Sequence, residues 1–196
     1  HVLDLYDASI SNPWPEEWLD GCVENYCLDP EKGIVETKWY QSLWEIVDSA
    51  LKEAEELNRS AMEICGESEG PELYLDALQK DLVLIRQLQE LSDKQDYDQM
   101  VQTLQNLSFA RLSTKKMEGV SGQLKSLVKD IREDAKDILK DLGSRYFQCS
   151  LEELTELTLA SAGPLKMLVK LTKDFAQRFS DKKREKNVLD FSDMEH

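Results

Sequence analysis

Histidine is nearly missing from this sequence of 196 residues, occurring only at positions 1 and 196. No nucleophile and base pair of the Ser-His or Cys-His kind can therefore be assembled within it. A G-x-x-x-x-G-K-[ST] loop is also absent, as is an acidic pair following a strand, so the chain encodes no ATPase-type site for a triphosphate and Mg²⁺. No apolar run approaches the length of a membrane span, and no signal-peptide pattern is present. The four cysteines at 22, 27, 65 and 149 follow no regular framework. A C-x4-C pair without further ligands is a poor zinc candidate, and free thiols in a reducing cytosol are the expected state. Carboxylates are plentiful, but they fall on the outer faces of amphipathic helices, where they are normally solvated. The chain is expected to be catalytically inert by itself, with no metal and no cofactor of its own.

What is present is a charged, helix-forming chain. Hydrophobic residues make up 41% and charged residues 32%, the balance of a soluble globular protein with a core large enough for one good-sized domain or two small ones. Net charge is −15, which on its face argues against nucleic acid, but the distribution is uneven. Residues 1 to 100 hold 7 Lys and Arg against 24 Asp and Glu, while residues 101 to 196 hold 17 against 15. The acidic half repels phosphate, so any DNA contact belongs to the second half.

The periodicity predicts an all-α fold, an irregular bundle of about seven or eight helices that includes long amphipathic ones. A short helix over residues 2 to 11 ends at Asn12-Pro13, and Pro15 opens a second through about Tyr26. Between Thr37 and Cys65 there is neither Gly nor Pro, and apolar residues recur at a 3.6-residue period. Pro71 opens the next helix, to about Ser92, and Asp93 or Asp96 can cap a shorter one over residues 97 to 106. Residues 107 to 117 read as a surface loop. Trp14, Trp18, Tyr26, Trp39, Tyr40 and Trp44 could stack on bases, but amid so much negative charge they are expected in the core.

Two later helices carry the basic residues. In the one from about Gly119 to Leu142, closed by Gly143, Lys125, Lys129, Arg132, Lys136 and Lys140 share a flank that could follow a phosphate backbone. The acidic residues on the other flank favour a plainer reading, a solvated helix laced by ion pairs. After Tyr146-Phe147, Ser150-x-x-Glu153 forms a capping box for a short helix, and Gly163-Pro164 starts a last long helix through about Lys186. There Leu168, Leu171, Phe175 and Phe179 share one face, with Lys166, Lys170 and Lys173 roughly opposite. Residues 164 to 187 contain 8 basic and 3 acidic residues. This stretch is the best candidate for phosphate contact, or else a solvated face whose cations suit a helix C-terminus. Beyond it, Asp190 or Ser192 can cap a new helix carrying Asp193 and Glu195 in its first turn. With apolar residues at helical spacing from Val2 onward as well, both ends read as cut from something larger.

Phe175-x-x-x-Phe179, Lys182 and the closing Val188-Leu189-Asp190-Phe191-Ser192-Asp193-Met194-Glu195-His196 resemble the segment that precedes the ATPase acidic motif in UvrD-like superfamily 1 helicases. The Glu-His ending is similar to the form found in the AddA family of helicase-nuclease subunits, called RexA in some bacteria. Near the start, Leu5-Tyr6 and Ser11-Asn12-Pro13-Trp14-Pro15-Glu16-Glu17-Trp18-Leu19 resemble the AddA segment that opens a helical insertion. The roughly 150 residues between these anchors carry no further motif. The resemblance implies that residues 1 to 196 form a single helical domain, subdomain 1B, inserted in the first RecA-like motor domain, with 188 to 196 returning to the motor core. It implies a bacterial, cytoplasmic parent that binds ATP and Mg²⁺, unwinds and degrades DNA as helicase and exonuclease, and serves recombinational repair beside a second helicase/nuclease subunit. The insertion itself would contact DNA near the duplex junction without sequence preference. On that reading Lys166, Lys170, Lys173, Lys182, Lys183, Arg184 and Lys186 neutralise phosphates, and Asp190, Phe191 and Asp193 pack on the motor core. The rival is a helical interaction module whose acidic first half docks a partner subunit.

Overall fold

The computed structural model describes residues 1–24, 26, 28 and 33–189. Among them are seven α-helices, two short 3-10 turns and no strand, so the expected all-α class holds. The helices are α1 (Val2–Ile10), α2 (Pro15–Glu24), α3 (Lys38–Cys65), α4 (Leu75–Asp93), α5 (Tyr97–Gln105), α6 (Gly122–Tyr146) and α7 (Leu151–Lys186). Contacts gather into two compact units, one of residues 40–151 and one made of residues 1–39 with 152–196.

The unit of residues 40–151 has a core drawn from α3 to α6. The long stripe of α3 delivers Tyr40, Leu43, Trp44, Val47, Leu51, Ala54, Ala61 and Cys65 to the interior, and all are buried. At one end Tyr40, Trp44, Tyr97 and Phe147 form an aromatic cluster with ring centroids 5.0 to 6.2 Å apart, Tyr40 edge-on to Trp44 and the other pairs tilted at 35° to 53°. The Tyr97 hydroxyl donates to the Tyr146 carbonyl at 2.8 Å, and burial pushes its pKa up to about 12. Asp96 caps α5, its carboxylate accepting from the Gln99 amide, and the Ser121 hydroxyl caps α6 by accepting from the Leu124 amide. Cys65 is a buried free thiol with its pKa raised to about 11 by burial, and neither Cys22 nor Cys149 forms a disulfide among the described residues, while Cys27 lies outside them.

Gly143 does not end its helix. It sits inside α6, which continues to Tyr146, and a Cβ there would come within 3.3 Å of the Leu104 Cβ. The glycine is used for a close approach of α5 to α6 and not for a left-handed turn.

In the other unit, α7 corrects the two-helix expectation: it is one helix of 36 residues with Pro164 inside. An internal proline removes one backbone hydrogen bond and costs about 3 kcal/mol. Thr158, Ala162, Leu165, Val169, Thr172 and Ala176, spaced alternately by four and three, are all buried or half-buried, so one seam runs past the proline without interruption. Pro164 itself is exposed, away from that seam. The packed seam holds both halves in one helical phase. Thr158 and Thr172 satisfy their hydroxyls on the Leu154 and Leu168 carbonyls of their own helix. The seam also lies round the helix from the expected face: Leu168 and Phe175 are half-buried, and Leu171 and Phe179 are exposed.

Of the six early aromatics expected in the core, Tyr40 and Trp44 are buried, but Trp14 is 70% and Tyr26 45% exposed. Trp14 stands between Pro13 and Pro15, where the α1–α2 turn offers it no interior.

Candidate nucleic-acid interface

Folding breaks up the basic row read on α6, although Lys129 stays exposed and Lys125 half-buried. Arg132 is buried and bonds Asp81 through Nε at 2.6 Å, while its Nη2 donates to the Ala110 carbonyl at 2.6 Å. Lys136 pairs with Glu133 at 3.0 Å and lies over the Phe109 ring. Lys140 bonds both Glu133 at 2.8 Å and Asp137 at 2.7 Å. Hydrogen bonds from Lys140 and Lys136 hold the Glu133 carboxyl at a pKa of about 2, well below the ordinary carboxylate range. The plainer reading of α6 is the one that stands. Arg132 and Lys136 also fasten the 107–117 segment, through Ala110 and Phe109, to the helix behind it.

On α7 the seven candidate residues fall into two groups. Lys166, Lys170 and Lys173 line a shallow groove of about 460 Å³ together with Asp20, Val23, Glu24, Val169 and Asp174. Lys173 is committed there, bonding Asp20 of α2 at 2.7 Å. Lys166 and Lys170 are exposed and make no ion pair among the described residues. The carboxylates across the groove weaken the field these lysines project.

The second group is a collar at the end of α7. Lys182, Lys183, Arg184 and Lys186 fall within five successive positions, about 7 Å of helix, and at about 100° per residue they spread over about 200° of its circumference. Lys182 pairs with Glu185 at 2.7 Å and Arg184 approaches Asp181 at 4.0 Å, both on the exposed surface where such pairs exchange readily with solvent. Lys183 lies over the Phe179 ring at 4.9 Å from its centroid, and Phe179 stacks on Phe175 at 5.6 Å with Tyr6 edge-on to both. This apolar platform holds up the stem of Lys183. Asn187, at φ 50°, closes the helix: its amide bonds the Arg184 carbonyl at 3.2 Å and the Val188 amide bonds the Lys183 carbonyl at 3.1 Å. This is a Schellman closure with asparagine in the left-handed position. It satisfies two of the last carbonyls, beside which the cations are favourably placed.

The two groups are not one patch. Lys166 and Lys186 are twenty residues apart, about 30 Å along the helix, or roughly nine base-pair steps of B-form DNA. Arg178, not singled out from the sequence, is exposed between them without an ion pair among the described residues. Its position one turn before Lys182 was the available signal. Asp190, Phe191 and Asp193 lie outside the described residues. Among the described residues, no group of three or more His, Cys, Asp or Glu is placed to hold a metal ion, and no helix is long and apolar enough to cross a membrane.

No family model matches the chain. Over its whole length, however, it is similar to curated bacterial proteins, each named as the A subunit of an ATP-dependent helicase/nuclease. Identity is 36% to the protein of Lachnoclostridium phytofermentans, and 32% to each of those of Clostridium beijerinckii and Acetivibrio thermocellus. In each case all of this chain is covered but only 14 to 16% of the relative. The chain thus corresponds to about one-seventh of the proteins it matches.

Proposed function

We propose that this chain is the helical insertion, subdomain 1B, of an AddA-type ATP-dependent helicase/nuclease, and that it grips DNA near the duplex junction while the rest of the polypeptide supplies the chemistry. The observation that carries this reading is the whole-length similarity to the large chains of helicase/nucleases. The two units act together as one inserted domain that binds no cofactor and catalyses no step. ATP and Mg²⁺ belong to the motor and nuclease chemistry to the parent polypeptide. The second helicase/nuclease subunit joins the whole in the bacterial cytoplasm. Residues 188 to 196 return the chain to the motor core, with Asp190, Phe191 and Asp193 packing there.

Phosphate contact comes first from the collar of Lys182, Lys183, Arg184 and Lys186, where cations outnumber anions and the local pairs are exposed. Lys166 and Lys170 contribute less, because Asp20, Glu24 and Asp174 share their groove, and Lys173 must leave Asp20 to take part. Such contacts release counterions and carry no sequence information.

Fluorescence anisotropy on a forked duplex at low salt tests this. Binding is expected to be weak, independent of sequence and steeply salt-dependent, and to be lost when Lys182, Lys183, Arg184 and Lys186 are changed to Gln. Indifference to DNA combined with capture of the partner subunit would favour docking through the acidic first half instead.

A further inference from the structure

Helix α7 carries a second apolar line besides its packed seam. Leu157, Ala160, Pro164, Met167 and Leu171 follow one another at alternating spacings of three and four, the a/d pattern of a helix that packs against another helix. All five are exposed, with Leu157 at 59%, Met167 at 56% and Leu171 at 48%. The line runs for about 21 Å along the helix. Exposed leucines scattered singly need no explanation, but an ordered row of them marks a contact surface.

Two features say what covers it. The first is charge. Glu153 and Glu156 stand at the N-terminal end of the row and Arg178 at its C-terminal end, while Lys170 and Asp174 border the later half with opposite signs. The second is a backbone acceptor. Pro164 has no amide hydrogen, so the Ala160 carbonyl loses its usual partner four residues on, in the middle of the row. A complementary partner therefore has an apolar helical face with a hydrogen-bond donor near its centre, a basic end and an acidic end.

We propose that this face docks an amphipathic helix from elsewhere in the same longer polypeptide, its basic end against Glu153 and Glu156 and its acidic end against Arg178. The inference rests on reading the chain as an insertion, and the relatives supply the scale: this chain spans only 14 to 16% of their length, so ample polypeptide remains to provide the helix. Arg178 then serves docking, which separates it from the phosphate-binding collar one turn away.

The test uses Met167→Cys and a maleimide probe, with the parent chain as the background for its own cysteines. Labelling is expected to be fast in the 196-residue chain and at least tenfold slower in the longer polypeptide without DNA. Equal rates overturn the proposal, as does protection that arises only when DNA is added. Reversing both ends, Glu156→Arg with Arg178→Glu, is expected to bring labelling in the longer polypeptide back to within about twofold of the isolated chain. Undiminished protection in that double variant overturns the charge-matched helix. A dimer of the isolated chain in light scattering, split by Leu171→Glu, would make a second copy the occupant and also overturn the proposal. DNA affinity is not read in any of these measurements, so failure of docking and failure of the nucleic-acid reading are separate results.

Discussion

Helices α6 and α7 both carry rows of lysine and arginine, yet they differ in how much of that charge is balanced by carboxylates nearby. In α6 six basic residues meet five acidic ones along the same helix. Arg132 is drawn into the interior by Asp81, and Lys136 and Lys140 close on Glu133 and Asp137. In the last turns of α7 cations outnumber anions, the pairs are exposed, and the aromatic platform of Tyr6, Phe175 and Phe179 holds Lys183 in place. A row of like charge becomes a binding surface only where its counter-charges run out and its stems are supported. Otherwise it becomes internal wiring.

The sharpest way to break the contrast is to cut the wire. Changing Arg132 to Met leaves the Asp81 carboxylate buried without its partner, and the expected cost is about 3 kcal/mol or more in chemical denaturation. Replacing both residues with apolar ones of similar volume should recover much of that loss. A solvent-facing Arg132 would give almost no change in either case.

Next in size is the difference in DNA affinity between the helices. Neutralising Lys182, Lys183, Arg184 and Lys186 should lower the slope of log affinity against log salt by about 3.6 units, at about 0.9 per phosphate contact, and weaken binding roughly tenfold or more at low salt. The same change at Lys125, Lys129, Lys136 and Lys140 should leave anisotropy titrations nearly unaltered. Equal losses from the two quartets would erase the distinction between the helices.

A smaller effect is expected where α6 meets α5. Gly143→Val adds bulk against Leu104 and should cost about 1 to 3 kcal/mol by overpacking, read as a lower denaturation midpoint without a change in DNA affinity.

The smallest is electrostatic. Because the folded-state pKa of Glu133 is depressed to about 2, its ion pairs stabilise the fold above the ordinary carboxylate value near 4.5 and lose their effect as pH falls through about 2. Its side chain is 54% exposed, so solvent screening holds the contribution to a few tenths of a kcal/mol. Glu133→Gln should be that much less stable than the parent at pH 7 and equal to it near pH 2.

Much of this architecture was legible in the amino-acid order. The stripe from Trp39 to Ile64 predicted α3 within a residue or two, Asp93 or Asp96 announced α5, with Asp96 the cap in the structure, and Pro15 opened α2, because period, cap and proline act within a single turn. The misreadings share one cause. Gly143 and Pro164 carry local signals for a helix end and a helix start, but Leu104 demanded the glycine's missing side chain and the Thr158–Ala176 seam overrode the proline's local cost. The candidate site was legible only as a charge count. That Lys173 belongs to Asp20, that Arg178 stands clear, and that the lysines divide into groove and collar depends on neighbours far away in the chain.

Composition and periodicity alone determined an all-helical chain, its boundaries to within a turn over most of its length, and the concentration of cations near its last helix, since these follow from interactions between residues three or four apart. Tertiary structure alone decided which cations are consumed, which apolar rows are covered, and where a helix passes through its own stop signal. Those outcomes turn on burial and on partners more than a hundred positions away, as with Lys173 and Asp20, and nothing local encodes them.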